Sequence, residues 1–367
     1  MVLLEPTGDG NVARLLDQAL PDLPAGASVL VKPDWNAREE PKPGENTTPD
    51  FLRAVLRWLE SRGVAHVSLA HSSLLTPPDV PYTSFMDLVE IAGCVELMED
   101  FPHLKLVDLE IEPMRLRNGF LVPQALEEHD IVINCVRLKT HMGTQIAVAC
   151  KGLMGLLPDS EHLRMHRDGV DGLLAELAQT ITPTLSLVEA DVGMEGEGPH
   201  HGSPVDCGFV LAGDDLYELD CTAARLMGFD PSEVAHLAAQ DRSPPDLAEA
   251  FAPYVKSFER PKGAITVARA VRVLPGDSCA TCHVAASSLL EHVQMKDLPG
   301  LAKALFVDGV DVYMGHQPES RGPTDTRSVA IGECARSFAE AHGIPLVEGC
   351  PVRAEQVRSA LVEALKG

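Results

Sequence analysis

Four cysteines in the last third of the chain have the types and spacing to hold an inorganic centre. Cys279-Ala-Thr-Cys282 is a Cys-x-x-Cys turn, which puts two sulfurs on one concave side. Cys334 follows in Gly-Glu-Cys334, and Cys350 in Glu-Gly-Cys350-Pro. Two distant cysteines beside loop glycines can complete a tetrathiolate site for zinc or an iron–sulfur cluster. A Cys-Pro pair recurs at cluster ligands, and zinc sites more often show two close Cys-x-x-Cys pairs, so the spacing favours [4Fe–4S] over zinc. The bland alternative is four unrelated buried residues. Cys94, Cys135, Cys150, Cys207 and Cys221 lie in apolar patterns and read as core, and His283 reads as an exposed neighbour of the turn.

A second constellation lies upstream. Lys32 ends the run Ser28–Lys32 and opens Lys32-Pro-Asp-Trp-Asn36. Lys139 falls in Arg137-Leu-Lys-Thr-His141, read as the segment after a strand at 130–135. Lys151 sits in Cys150-Lys-Gly-Leu-Met-Gly155. If these segments project from the carboxyl edge of one parallel sheet, the cations form a local anion site. Backbone N–H groups near Gly152 and at the Asn46-Thr47-Thr48 turn add donors. Asp191, Glu195 and Glu197 follow a strand at 185–190, in and beside a Gly-rich loop at 193–204, placed for proton transfer or a hard cation. Lys139, His141, Asp191 and Glu195 are thus the catalytic candidates. Lys32, Asn36, Thr48, Lys151 and His166 are the substrate-binding ones, and Cys279, Cys282, Cys334 and Cys350 the metal ligands. His162 and His166, four apart on a helix, share a face, but no Glu follows the first His as in a zinc protease, so substrate contact or a solvated face is the reading.

The elements that must position these groups alternate. Pro49 to Arg62 has apolar Phe51, Leu52, Val55, Leu56 and Leu59 at helical spacing, Thr48 as N-cap, Pro49 at the first position and Gly63 to close. Further strands are expected at 64–70, 104–109 and 209–212, and helices at 170–179, 216–227, 232–239 and 246–257. The expected fold is α/β: a mainly parallel layered sheet with helices on both faces, plus a smaller C-terminal α/β unit carrying the four-Cys metal site. The boundary falls near Arg260-Pro-Lys-Gly263, giving a core domain 1–262 and an iron–sulfur unit 263–367. That second unit has strands at 303–307 and 310–314 and helices at 334–342 and 353–365.

Composition bounds the function. The 367 residues suit two units of ordinary globular make-up, with 45% hydrophobic and 23% charged residues. The formal net charge is −24, from 30 Lys and Arg against 54 Asp and Glu, which argues against a nucleic-acid coat protein or a polybasic membrane binder. No stretch reaches the ~20 apolar residues of a membrane helix. The N-terminal run has no basic n-region or long apolar run, so the expected location is cytoplasmic, where thiols stay reduced.

In order along the chain, these pieces resemble the domain-of-unknown-function-362 family. The matching residues are Val31-Lys-Pro-Asp-Trp-Asn36, Asn46-Thr-Thr-Pro49, Ile133-Asn134 with Leu138-Lys-Thr-His141, and Lys151-Gly-Leu-Met-Gly155. His166, Asp191 with Met194-Glu-Gly-Glu-Gly-Pro199, Gly202-Ser-Pro204, and Asp220 with Leu226-Met-Gly-Phe-Asp-Pro231 also match. Where the family usually has Asn after Lys-Pro, this chain has Asp34. Many members carry a Cys set after the core domain, so the resemblance implies an iron–sulfur protein of redox metabolism; it brings no established reaction. The expectation is a [4Fe–4S] redox enzyme acting on a small carboxylate or phosphate, with an electron donor such as ferredoxin and homodimerisation permitted. The alternatives are a lyase or isomerase braced by a structural cluster or zinc, and an electron-transfer or cluster-carrier protein.

Overall fold

A computed structural model describes residues 1–367 apart from 9, 25, 75–81, 263–264, 269–270, 277, 279–281, 283–284, 287–309, 317, 319–326 and 367. Cys279, His283 and the expected strand at 303–307 lie outside the described residues. The chain forms two units. The first comprises Met1–Leu74, Thr83–Glu161 and Val170–Pro261, and the second Leu75–Tyr82, His162–Gly169 and Lys262–Gly367. Two short segments of the stretch read as core domain therefore belong to the second unit, and His166 with them.

The first unit is built on an eight-stranded sheet. Its strands are β1 (Val2–Pro6), β2 (Ser28–Lys32), β3 (His66–His71), β4 (Lys105–Asp108), β7 (Ile131–His141), β8 (Gln145–Ala147), β9 (Leu185–Glu197) and β10 (His201–Gly213). A separate hairpin pairs β5 (Met114–Arg117) with β6 (Phe120–Pro123). The sheet order is β1-β10-β9-β7-β2-β3-β4, with β8 added on β7. Strands β9, β7, β2, β3 and β4 run parallel, and β10, β1 and β8 pair antiparallel. Val29, Leu30 and Val31 are fully buried, the uninterrupted apolar run of a central parallel strand covered on both faces.

Alternation along the strands decides which groups share a face. Val29, Val31, Ile133, Cys135, Leu185 and Leu187 pack with Leu52, Val55, Leu56 and Leu59 of the helix Pro49–Ser61 in one core. Lys32 and Asn134 therefore point the other way, toward the short helix Ala149–Gly152, where the Asn134 amide donates to Ala149 O at 3.2 Å. The helix Pro49–Ser61 starts as its sequence predicts: Pro49 opens it, and the Thr48 hydroxyl accepts from Phe51 N at 3.2 Å.

Four expectations are corrected. Strand β7 does not stop at Cys135 but continues through Arg137 and Lys139 to His141. The stretch 193–204 is not a loop. It pairs as the β9–β10 ribbon, with His201 opposite Glu197 and Pro204 opposite Met194. The helix expected at 246–257 is a 3₁₀ segment, Glu249–Tyr254, and that at 232–239 is a 3₁₀ turn, Pro231–Glu233, followed by Ala235–Ala238. Proline explains the first of these two: Pro253 lies within the segment and removes a donor that a regular α-helix needs.

The second unit has a five-stranded sheet, β11 (Ile265–Ala268), β12 (Val271–Pro275), β13 (Val310–Met314), β14 (Arg327–Ile331) and β15 (Leu346–Val347), in that order. Its pairs are parallel except β11–β12. The helix Arg336–His342 covers it, with the Phe338 ring 4.7 Å from that of Tyr313. Among the described residues, no helix is long and apolar enough to cross a membrane.

The loop leading into Thr48 is held close to β9. Gly44 has φ +83°, and a Cβ there would come within 2.6 Å of Gly193 O. Gly44→Ala is expected to cost roughly 1–3 kcal/mol, because the neighbour is backbone and cannot swing aside. Urea unfolding checks this; an unchanged midpoint would refute the close packing.

Candidate functional site

Parallel strands end together, and here that shared edge collects charge. Lys32 ends β2, His71 ends β3, Lys139 lies near the end of β7, and Lys151 sits in the helix Ala149–Gly152. Lys32 and Lys139 are almost fully buried, and Lys151 is half-buried. One carboxylate answers them. Asp34 Oδ2 accepts from Lys139 Nζ at 2.8 Å and from Arg137 N at 3.3 Å. Asp34 Oδ1 accepts from Asn36 Nδ2 at 2.8 Å, and Asn36 is itself held through its N–H by Asn46 Oδ1 at 2.9 Å. Lys139 also donates to Glu45 O at 2.8 Å.

Lys32 and Lys151 lack such a partner. Among the described residues, neither has a carboxylate within ion-pair distance. Lys32 Nζ lies 3.4 Å from Asn134 Oδ1, and Lys151 Nζ lies 3.4 Å from the Met154 sulfur. Burial pulls the Lys32 pKa down to about 8, and Lys139 and Lys151 add to the fall while Asp34 opposes it. Burial likewise brings Lys151 to about 8, against the pull of Asp34 and Asp171 and with the push of Lys139. Burial alone would raise Asp34, but Lys139 and Lys32 hold it well below the usual carboxylate range. Three amines thus share one firmly ionised carboxylate, an excess of positive charge inside a chain of net −24.

Two glycines make room for this crowding. A Cβ on Gly155 would fall 2.6 Å from His71 Nε2 and 2.8 Å from Lys32 Cε, and one on Gly152 would lie 3.4 Å from Lys32 Nζ. His71 turns Nδ1 to Ser72 O at 2.5 Å, so that nitrogen carries the proton and Nε2 faces the lysine side.

The remaining candidates fall elsewhere. Asp191 pairs with Arg137 at 3.0 Å, not with a lysine. Arg137 also meets Glu189 at 2.7 Å, its direct neighbour across β7 and β9. Glu189 in turn accepts the Thr48 hydroxyl at 2.5 Å and Thr48 N at 2.9 Å, so Thr48 is anchored to this pair as well as capping its helix. Burial raises the Glu189 carboxyl, and Arg137 and Thr48 counteract it. Glu195 Oε2 accepts from Glu259 N at 2.7 Å and ties the ribbon to the chain beyond it. His141 Nδ1 accepts from Gly143 N and Thr144 N at 3.0 and 3.2 Å, holding the β7–β8 turn. Asp34, His71, Asn134, Arg137 and Glu189 were not among the sequence candidates. The only local signal for them was that each ends, or interrupts, an apolar run.

In the second unit, parallel neighbours β14 and β15 bring the Cys334 and Cys350 loops to one sheet edge. Glu333 N donates to Gly349 O at 3.2 Å, and Gly349 N donates to Glu333 Oε1 at 3.2 Å. Cys282 Sγ lies 3.2 Å from where a Gly332 Cβ would stand. The Arg167 guanidinium is raised by Asp168 first, and by nearby Cys350 and Cys334 as well. The donor type suits a thiophilic centre. As they stand, no group of three or more His, Cys, Asp or Glu among the described residues is close enough to hold a metal ion.

The lysine site has a pH signature. Lys32 is lowered from 10.5 to about 8, so between those values the unfolded chain binds more protons, and this group's contribution to stability rises with pH. Five buried thiols, Cys94, Cys135, Cys150, Cys207 and Cys221, are pushed up by burial and act in the opposite direction above pH 9. The quantity to measure is therefore the difference between wild type and Lys32→Met in urea unfolding. At pH 7 the variant is expected to be more stable by roughly 1–3 kcal/mol, an advantage that shrinks by pH 10. A pH-independent difference would contradict the buried, near-neutral amine.

Comparison with known proteins adds family. The domain of unknown function DUF362 matches residues 29–225. A thylakoid-associated protein of Synechocystis sp., sll1697, is 27% identical over 265 residues, covering 65% of this chain and 72% of that protein. Among solved structures, the lactate racemase apoprotein from Thermoanaerobacterium thermosaccharolyticum aligns loosely, with a TM-score of 0.37 and 12% identity over 96% of this chain and 79% of that one. With the match spanning more than half of its residues, this chain belongs to the domain-of-unknown-function-362 family.

Proposed function

We propose that the protein is an enzyme that binds a small carboxylate or phosphate at the lysine-rich sheet edge of the first unit and transfers protons on it. The observation that carries this reading is the convergence of Lys32, Lys139 and Lys151 on the single carboxylate of Asp34. Buried excess cation is costly unless something anionic completes it. Lys139 and Asp34 hold the geometry, and the amines of Lys32 and Lys151 attract the anion. With pKa values of about 8, Lys32 Nζ and Lys151 Nζ can each hold or release a proton near neutral pH. Asp191, Glu195 and His141, engaged with Arg137, Glu259 and a backbone turn, serve as supports in this reading.

Calorimetric titration with inorganic phosphate and with malonate at pH 7 and low salt tests it. One anion is expected per chain, weakened at least tenfold in Lys151→Met, or about 1.4 kcal/mol. Binding that is absent, or indifferent to the substitution, would refute the site.

A second reading is favoured by the pairing of the Cys334 and Cys350 loops beside Cys282. Cys279, Cys282, Cys334 and Cys350 would hold a [4Fe–4S] cluster or zinc. A cluster saturated by four thiolates supplies one-electron transfer, with a donor such as ferredoxin, whereas zinc braces the loops. The full chain, purified without oxygen, is expected to carry about four iron and four sulfide if the redox reading holds. Zinc alone would support the structural role, and neither metal would leave the cysteines as plain thiols.

A further inference from the structure

We infer that Lys151 is a nucleophile whose Nζ condenses with the carbonyl carbon of a 2-oxo carboxylate. This rests on the anion-binding reading above and narrows its substrate class to anions that carry a carbonyl.

Exposure separates the three amines. Lys32 is 0% and Lys139 1% exposed, whereas Lys151 keeps part of its surface open to solvent. Lys139 is committed to Asp34 and Glu45 O. Lys151 meets only the Met154 sulfur among the described residues, and a thioether is too weak an acceptor to hold an ammonium. An amine that is reachable, unpaired and crowded by other amines is the arrangement that activates lysine toward carbonyls. Its titration agrees: burial and Lys139 oppose the charge, Asp34 and Asp171 favour it, and the result is about 8. Roughly a tenth of such an amine is neutral at pH 7.

The backbone beneath Lys151 is fixed. Asp220, fully buried, accepts from Ala149 N at 2.8 Å and Cys150 N at 3.0 Å. Asn134 holds Ala149 O from the other side. Burial raises the Asp220 carboxyl, and His236 together with these two N–H groups opposes that rise. Asp220 is thus a positioning residue for the turn that presents the amine.

The step balances without a co-reactant. The amine lone pair forms the C–N bond, and the carbonyl π pair moves to oxygen. That oxygen then leaves as water with the two amine protons, giving the imine. The positive charge of the neighbouring Lys32, which has no carboxylate within ion-pair distance among the described residues, favours an anion, so a 2-oxo carboxylate fits better than a neutral aldehyde.

The test is to incubate the full chain with pyruvate at pH 8, reduce with sodium borohydride, digest and map adducts by mass spectrometry. The expected result is one lactyl-sized addition at Lys151, absent in Lys151→Arg and suppressed by inorganic phosphate. The yield should rise with pH around a midpoint near 8, the value of the wild-type amine. No adduct on the wild-type protein, or adducts spread over exposed Lys42 and Lys105, overturns the proposal whether or not the variant folds. Phosphate binding without a Lys151 adduct would overturn the imine and spare the anion site. Failure of both would overturn the two readings together.

Discussion

The ion pair between Lys139 and Asp34 is the constraint on which the first unit's edge depends. At 2.8 Å, between a lysine 1% exposed and a carboxylate held ionised, it fixes where β7 ends relative to the chain leaving β2. Breaking a buried pair by removing one partner typically costs about 3–5 kcal/mol, because the other charge is left uncompensated. The pair is also outnumbered. Lys32 and Lys151 are drawn to the same carboxylate through space, but burial outweighs its pull, and their pKa values settle near 8 rather than above 10. The edge thus carries one imbalance: a firmly ionised Asp34 against three buried or half-buried amines.

A second ionic group is centred on Arg137 and does the opposite. Arg137 is met by Glu189 and Asp191, and its guanidinium also donates to Val192 O. Glu189 takes both the hydroxyl and the N–H of Thr48. The start of the helix Pro49–Ser61 is thereby joined to β7 and β9 through one ionic and hydrogen-bonded network. Strand alternation keeps Arg137 apart from Lys32. Successive side chains leave opposite faces, so β7 can turn Asn134 toward Lys32 and Arg137 toward the helix side.

In the second unit the same logic of parallel strands works on thiols. Strands β14 and β15 end side by side, and reciprocal hydrogen bonds between Glu333 and Gly349 align the loops that follow. Arg336 reinforces them by pairing with Glu333 at 2.8 Å and Glu348 at 2.9 Å. The loops that carry Cys334 and Cys350 are thus held by contacts that need no metal.

Local signals were enough to read the α/β class, strand β2, the helix Pro49–Ser61 with its Thr48 cap, and the placing of Lys32 at a strand's end. Each of these is written in adjacent residues: a β-rich run, apolar spacing, a Thr-Pro start, or a cation at a strand's end. The length of β7 and β9, the pairing of Asp34, the placement of His71, and the contacts that Asp191, Glu195 and His141 make were not legible. Arg137 and Lys139 look like loop residues until Glu189 and Asp34 stand beside them, and those partners are far away in sequence. A buried charge is tolerable only when another segment supplies its counter-charge. The sequence by itself therefore determined which residues are ionisable and where strands such as β2 and helices such as Pro49–Ser61 lie. Only the tertiary structure decided which charges are paired with a counter-charge from a distant segment, because burial makes an unpaired charge costly.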